Sequence, residues 1–355
     1  KREAKKAKAK KKRYSKLRQE LGFETDGDTY NTVLDAARKS LLLAYGKTLK
    51  ITNAKARVDK ILGPATETNR SSGNYTYGYG QYLGTGADVA SGNPNTIDAS
   101  DYKLLYINIL KIRYHQVGTA AFTADAFRVG DFATNAASTD KVEEAYIAGL
   151  ESLATNMETD RLICHPSQAL IQPCDSSTGP TTWNSSINHI FKVNFTDAQA
   201  RRQYFNSGGK IRFSPSMLYS GSQAKTLDWK STINAILSVD FGCQGTIASS
   251  GVGQSYGGIG HDYMSSSYQT AYYNQGGGVY NPNRYTIYAM ELDDKTLQFK
   301  AEFSDPSYGN PDESVLAAAT NTVEFFRPFG QATIDSSVTY TVYQSLPTST
   351  SVSTL

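Results

Sequence analysis

A histidine followed directly by an aspartate, His261-Asp262, is the first place where this chain could do chemistry. Such a pair can serve a serine nucleophile as a general base and its orienting carboxylate, and serines abound in the chain. No Gly-x-Ser-x-Gly elbow lies on a strand–turn–helix, however, and the glycine run 251–260 neither follows a clean strand nor precedes a convincing helix. The sequence therefore predicts neither a catalytic triad nor a nucleotide cradle, no catalytic residue and no enzyme.

Metal-ligating side chains are present but poorly spaced. The three cysteines, Cys164, Cys174 and Cys243, include no Cys-x-x-Cys pair, and Cys164-His165 with Cys174 lacks a fourth ligand at finger-like spacing. Reduced structural thiols are the expectation, as for a protein assembled inside a cell. The sequence predicts no zinc site from this group.

A second group offers oxygen ligands. Asp305, Asp312 and Glu313 flank the turn residues 309–311 and could bind calcium, but their spacing does not match an EF-hand. Turn chemistry explains Asp, Asn, Gly and Pro here equally well. We therefore predict no metal and no cofactor.

Positive charge is concentrated at the amino terminus. Residues 1–20 hold eleven Lys or Arg against two Glu, so the remaining chain carries about six net negative charges. Such an arm can dock on an acidic neighbouring subunit, contact DNA phosphates, or only solubilise the chain, and it has no interleaved aromatic residues for stacking single strands. The arm residues predicted to contact a partner are Lys5, Lys6, Lys10, Lys11, Lys12 and Arg13.

Tyrosine is abundant, with 24 copies, and offers contact area at low entropic cost. The tyrosine-rich segments 256–268 and 272–285 are predicted to be exposed loops that either stack on sugars or pack against other subunits. Tyr272 and Tyr273 represent this surface. Arg201 and Arg202 are predicted to contact a neighbouring surface.

The elements that must position these residues change in type along the chain. Helical periodicity predicts helices over 28–45, over 53–62 ended by Gly63, and after two similar loops at 92–101 and 130–139, where Ser100 can cap the first and Asp140 with Glu143 the second. The two loop-helix units are expected to pack as an αα pair. His115 is expected to be a hydrogen-bonded structural group at a helix end, where its charged form would be favoured.

From about Trp183 the apolar period approaches two. Strands are predicted over 189–195, 210–213, 284–291, 297–303, 322–326 and 337–343, with a hairpin at 292–295 and short helices at 197–204 and 227–237. The fold class is α+β, with an N-terminal helical region and a C-terminal antiparallel β-sandwich. The predicted parts are a basic arm 1–24, a helical segment 25–70, a linker with the loop-helix units 71–182, the sandwich 183–344 and a Ser/Thr tail 345–355.

Residues 200–213 run from a helical turn through Gly208-Gly209 into an alternating strand. Both glycines are predicted to serve backbone geometry rather than phosphate binding. This stretch belongs to a longer ordered set, the motif series, which comprises Gly78-Tyr-Gly-Gln81, Ile97-Asp-Ala-Ser-Asp101, Arg113-Tyr-His-Gln-Val-Gly118, Trp183, Tyr204-Phe-Asn-Ser-Gly-Gly-Lys-Ile-Arg-Phe213, Trp229, Tyr268-Gln-Thr270, Phe303-Ser-Asp305 and Asn310-Pro-Asp-Glu313.

The motif series resembles virion structural proteins of tailed bacteriophages, especially the contractile-tailed phages of marine cyanobacteria, over about residues 51–330. The resemblance implies a non-enzymatic subunit of the neck, tail or fibre region, with no catalytic residues. Its expected partners are other virion proteins and copies of itself, without a membrane, in a particle assembled in the bacterial cytoplasm. The first 50 residues, which include the basic arm, depart from the resemblance. A carbohydrate-binding receptor module and a DNA-contacting head-closure protein remain the alternatives.

Overall fold

The structure is a computed structural model that describes residues 53–63, 78–80, 99–118, 144–256, 258–306, 313–335 and 338–354. The six basic arm residues, the predicted helix over 28–45, the predicted capping box at Asp140 and most of the two repeated loops lie outside these ranges. Helices dominate the amino-terminal part of the described chain, and two antiparallel sheets make up the rest. The α+β prediction is confirmed.

Among the residues that the structure describes, three helices precede the sheets: α1 over residues 53–62, α2 (Ala99–Val117) and α3 (Glu144–Thr159). Helix α1 has the predicted bounds, whereas α2 begins at Ala99, one residue before the predicted cap Ser100. Helix α2 packs against α3, as expected for an αα pair. Helix α1 is joined to α3 by Arg57, whose guanidinium lies 3.2 Å from the Glu158 carboxylate. Their apolar residues form a buried stripe that includes Ile61, Leu105, Ile109, Leu153 and Met157.

Twelve strands follow within the described part of the chain, and every pair of them is antiparallel. Their bounds are β1 (Ala169–Thr178), β2 (Ile187–Asn194), β3 (Lys210–Met217), β4 (Ser238–Phe241), β5 (Thr246–Ser250), β6 (Gln254–Ser255), β7 (Gln269–Gln275), β8 (Arg284–Glu291), β9 (Thr296–Ser304), β10 (Ala319–Asp335), β11 (Val338–Tyr343) and β12 (Thr348–Thr354). One sheet has the order β1-β10-β3-β4-β5, with β11 paired to β10. The other has the order β12-β2-β9-β8-β7-β6.

The core lies between the two sheets, where aromatic rings from both faces meet. On β9, alternate residues from Leu297 to Phe303 are buried, while the residues between them are half-buried. The Phe299 ring lies 5.0 Å from Phe213 on β3 and 4.9 Å from Phe241 on β4, both in the opposite sheet. Such aromatic packing between facing sheets is typical of a β-sandwich.

The sheets extend beyond the predicted limits 183–344 at both ends. Strand β1 pairs with β10 before Trp183, and β12 pairs with β2 inside the segment predicted as a Ser/Thr tail. Ser/Thr alternation has no apolar face to mark a strand, but hydroxyl side chains suit an edge strand that faces water. The tail prediction is therefore wrong for Thr348–Thr354, which is an edge strand.

Two short helices interrupt the strands: α4 (Ala198–Asn206) and α5 (Ala224–Asn234). Helix α4 lies close to its predicted place because the Asp197 carboxylate accepts a hydrogen bond from the Ala200 amide at 2.8 Å, an N-cap contact. Helix α5 lies three residues earlier than predicted at both ends. The hairpin at 292–295 is confirmed as the connection from β8 to β9.

Candidate functional site

Residues of the motif series meet in the interior, where the helices join the β-sandwich. We call Tyr79, Arg113, His115, Gln116 and Ser207 the junction cluster. The first comes from the segment 78–80, the next three from the end of α2, and Ser207 from the end of α4. All five are buried. The motif series thus brings distant parts of the chain together, but it does so inside the molecule.

His115 is fully buried and fixes the end of α2 to the end of α4. Its ring nitrogen Nε2 donates to the Ser207 carbonyl at 2.7 Å, and its own carbonyl accepts from the His165 amide at 2.9 Å. Burial lowers the pKa of His115 from 6.5 to about 4, although the hydrogen bond to Ser207 opposes this shift. The expectation that its charged form is favoured is wrong, because desolvation outweighs the helix end.

The rest of the junction cluster makes hydrogen bonds within the chain. Arg113 lies 2.5 Å from the Asp160 carboxylate and also donates to the Gln116 side chain at 3.0 Å. Gln116 donates to the Met157 carbonyl, and Tyr79 donates to the Arg161 carbonyl, each at 2.8 Å. These bonds attach α2 and the segment 78–80 to the end of α3. The arrangement fixes the backbone of these segments against one another.

The paired glycines follow α4, where the backbone comes close to the chain before β1. Gly208 has a φ of +92°, and a Cβ there would lie 2.6 Å from the Cys164 amide nitrogen. A Cβ on Gly209 would lie 2.5 Å from the Tyr204 carbonyl oxygen. Neither site tolerates a side chain without backbone movement. The predicted backbone role of both glycines is confirmed.

Asp305, one of the three candidate calcium ligands, belongs to a buried ion pair. Lys225 on α5 and Asp305 after β9 are both fully buried, with Nζ and Oδ2 2.7 Å apart. The lysine also donates to the Glu313 carbonyl at 2.7 Å. A side-chain ammonium therefore already neutralises Asp305, and it stands where a bound cation would have to sit. Asp312 lies outside the described residues.

Two tryptophans and an asparagine complete this site. With its side-chain amide in the orientation that satisfies both neighbours, Asn283 donates to Asp305 Oδ1 at 3.0 Å and accepts from the Trp229 indole at 3.1 Å. Trp183 packs edge-on against Trp229, with ring centroids 5.1 Å apart, and donates to the Ala317 carbonyl. The sequence reasoning named both tryptophans but missed Lys225 and Asn283, because no local spacing links them to Asp305.

Arg201 and Tyr272, predicted as partner contacts, are buried instead. Arg201 donates to the Glu291 carboxylate and the Asp293 carbonyl, each at 3.0 Å, and so ties α4 to the β8–β9 hairpin. Tyr272 lies on β7 in the core, and its hydroxyl donates to the Val252 carbonyl. Both predictions are wrong, because each side chain has a strong internal partner that the local sequence does not reveal.

Arg202 and Tyr273 are only half-buried, so their predicted role as contacts stays open. The Arg284 guanidinium lies over the Tyr273 ring, 4.3 Å from its centroid. The ring centroids of Tyr273 and Tyr256 lie 5.9 Å apart, and Tyr256 is 49% exposed. A pair of aromatic rings therefore reaches the surface at β6 and β7.

Cys164 and Cys174 behave as structural thiols. Burial raises the pKa of both thiols to about 12, which disfavours the thiolate that a nucleophile or a metal ligand needs. Cys164 Sγ donates to the Gln168 carbonyl at 3.3 Å. Along the described chain, none of the three cysteines forms a disulfide, and neither Cys164 nor Cys174 belongs to a group of three or more side chains that could hold a metal.

His261 and Asp262 lie on a short 3-10 turn (His261–Tyr263) and are both buried. Ser255, at the centre of a Gly-x-Ser-x-Gly sequence, lies on β6 rather than on a strand–turn–helix elbow. Its hydroxyl accepts from the Ala248 amide at 2.9 Å. The side chain that meets the His-Asp pair is instead Cys243, whose Sγ lies 3.4 Å from Asp262 Oδ1.

No protein-family model, no curated protein and no solved structure matches this chain. Among the described helices, none is both long and apolar enough to cross a membrane.

Proposed function

We propose that this chain is a non-enzymatic structural protein of a tailed-phage particle, a neck, tail or fibre component that assembles through its β-sandwich and docks through its amino-terminal part. The observation that carries the proposal is that residues of the motif series are used for internal contacts. Tyr79, His115, Trp183, Trp229 and Asp305 are all buried and hydrogen-bonded or ion-paired within the described residues. Residues used in this way specify a shape, which is what a structural subunit contributes.

The β-sandwich offers surfaces suited to assembly. Strand β12 lies at one end of its sheet order, and its Val352 is 60% exposed. An edge strand can pair with a strand of another subunit, and phage necks and tails are built on symmetry axes that repeat such contacts. Leu218, after β3, and Val279, on a 3-10 turn, add apolar side chains that are 90% and 69% exposed. Homo-oligomerisation would cover surfaces of this kind.

The proposal is tested with the purified full chain and with intact particles. Light scattering coupled to size exclusion should give a mass above one 38.7 kDa chain, and negative-stain microscopy should show rings or rods. An epitope tag on the chain should be located by labelling at the neck, tail or fibre of assembled particles. A compact monomer that is absent from purified particles would contradict the proposal.

A carbohydrate-binding module is the second candidate, supported by the surface aromatic pair Tyr256 and Tyr273. Exposed tyrosine faces stack on sugar rings, and the Arg284 guanidinium beside them could donate to hydroxyls. A glycan array probed with the full chain should then give binding that Tyr256→Ala abolishes. Tyr263→Ala, another tyrosine 50% exposed, is the matched control. A blank array excludes this candidate.

A further inference from the structure

Three segments place a cysteine, a histidine and two side chains with oxygen ligands together in the interior. Cys243 follows β4, His261 and Asp262 lie on the 3-10 turn, and Asn206 ends α4. All four are at least nine-tenths buried, with exposed fractions of 5%, 2%, 6% and 4%. We call these four residues the thiol cluster.

Backbone contacts fix the two loop segments against each other. The His261 amide donates to the Gly242 carbonyl at 3.0 Å, and the Asp262 amide donates to the Cys243 carbonyl at 2.9 Å. A Cβ on Gly260 would lie 2.3 Å from the Gly245 amide nitrogen, so glycine permits this approach. The His261 ring stacks on Phe205 with centroids 4.7 Å apart and planes at 21°. The side chains are thus held on a rigid frame, as a preformed ligand site requires.

Two of the three spacings between the ligand atoms are close to those around a tetrahedral ion. Asp262 Oδ1 lies 3.4 Å from Cys243 Sγ and 3.3 Å from His261 Nδ1, and ligand atoms of the three residues all lie within 4.8 Å of one another. Zinc bond lengths of about 2.0–2.3 Å give tetrahedral edges of about 3.3–3.5 Å between such atoms. Asn206 Oδ1 lies 3.7 Å from the sulfur and offers one further oxygen ligand on a third segment.

Charge and chemical type narrow the choice of ion. A thiolate and a carboxylate together carry two negative charges, which a divalent cation would neutralise in this buried place. Sulfur and imidazole ligands select zinc or a similar transition metal, whereas calcium and magnesium take oxygen ligands alone. We propose that Cys243, His261 and Asp262 bind a structural zinc ion, with the Asn206 amide oxygen as a further ligand. The ion would join α4, the β4–β5 hairpin and the 3-10 turn.

Cobalt substitution tests the ligand set directly. The full chain is purified without chelator, its zinc content is measured by mass spectrometry, and the zinc is replaced by Co²⁺. We expect about one ion per chain and a cobalt–thiolate charge-transfer band in the near ultraviolet with visible bands typical of tetrahedral sites. Cys243→Ser should abolish the charge-transfer band, and Asp262→Asn should lower the metal content. Cys164→Ser and Cys174→Ser, the matched cysteine controls, should keep both signals.

A second measurement uses only the unaltered chain, since a buried variant can fail to fold. Removal of the ion by a chelator should lower the melting temperature, and added zinc should restore it, because an ion that binds only the folded chain stabilises it. A chain purified with zinc present that holds no ion, shows no cobalt–thiolate band and melts at the same temperature with chelator would overturn the proposal. The four side chains would then be a metal-free hydrogen-bonded cluster.

Discussion

At the scale of single residues, Lys225 and Asp305 form an ion pair in which both side chains are fully buried. Lys225→Met leaves the Asp305 carboxylate in the core without its cation, and breaking a buried pair in this way costs about 3–5 kcal/mol. We expect the urea midpoint of unfolding to fall accordingly. Asp305→Asn added to Lys225→Met should recover much of the loss, because the amide removes the uncompensated charge.

Lys230 on the same helix is the matched control. It is half-buried, and its ammonium donates to the Tyr219 carbonyl at 2.8 Å. Lys230→Met should cost only about 1 kcal/mol, since water can reach the carbonyl that loses its donor. Equal losses for the two lysine variants would show that the buried pair has no special role.

A second residue-scale prediction concerns acid stability. Burial lowers the pKa of His115 and of His189 from 6.5 to about 4. The unfolded chain therefore binds protons at these rings below pH 6.5 while the folded chain does not, so stability falls as the pH drops from 6.5 to 4. Each ring accounts for up to about 3 kcal/mol of this loss.

His189→Phe isolates the effect, because neither ring nitrogen of His189 has a hydrogen-bond partner among the described residues. The variant keeps the ring beside Phe303, so its stability at pH 7 should equal or exceed that of the parent chain. Its advantage should grow as the pH falls to 4, measured by urea unfolding across that range. His115→Gln should show the same pH trend but start from a loss, since it removes the bond to Ser207. A pH-independent difference for His189→Phe would contradict the assigned shift.

The residue scale is also where sequence reasoning fails most clearly. Arg201 and Tyr272 look like surface residues because their neighbours are polar, yet their partners are Glu291 and the Val252 carbonyl, far away along the chain. The sequence does not predict the thiol cluster for the same reason, since Cys243 and His261 follow no finger-like spacing. Long-range pairing, not local pattern, decides each of these sites.

At the scale of elements, the turn between α4 and β3 depends on Gly208. Gly208→Ala forces a side chain into a backbone at φ +92° and against the Cys164 amide, so we expect a loss of about 2–5 kcal/mol. A Cβ on Gly278 would meet no neighbouring atom, but the backbone there has a φ of +55°. Gly278→Ala should therefore lower the free energy of unfolding by about 1 kcal/mol. Gly258→Ala meets neither constraint and should change stability by less than about 0.5 kcal/mol.

Thermal melts of these three glycine variants separate the steric cost from the conformational cost. The expected order of destabilisation is Gly208→Ala, then Gly278→Ala, then Gly258→Ala. Equal effects at Gly208 and Gly278 would mean that the close approach to Cys164 is not needed, which would contradict the packing described here.

Elements with a strong apolar period are those that the sequence predicts well. Strand β8 has the predicted bounds, and α1 ends before Gly63 as expected. The sequence predicts neither β4 to β7 nor β1 and β12. The last two alternate weakly: Leu170 and Ile171 are both exposed by at least 40%, and β12 is almost entirely Ser and Thr. Edge strands gain their stability from backbone pairing with an inner strand, which leaves little trace in side-chain type.

At the scale of the whole molecule, charge is divided between a basic arm and an acidic remainder. Within the part of the chain that the structure describes, the core, the junction cluster and the buried ion pair supply a self-sufficient set of internal contacts. The arm has almost no apolar residues before Tyr14, so it cannot add to such a core. Binding and folding are therefore expected to be separable functions of the two parts.

Deletion of residues 1–18 tests this separation and also distinguishes protein docking from DNA contact. The truncated chain should melt within about 2 °C of the full chain, because the lost residues are polar and lie before every described element.

If the arm docks on an acidic subunit of the particle, the truncated chain should not be incorporated into particles, and both chains should bind DNA weakly with shallow salt dependence. If the arm binds DNA, the full chain should lose affinity steeply with salt, by about 0.9 log units per log unit of salt for each phosphate contacted, and the deletion should flatten that slope. Fluorescence anisotropy with labelled duplex DNA measures the slope, and immunoblots of purified particles measure incorporation. Unchanged incorporation together with an unchanged slope would contradict both roles and leave the arm as a solubilising segment.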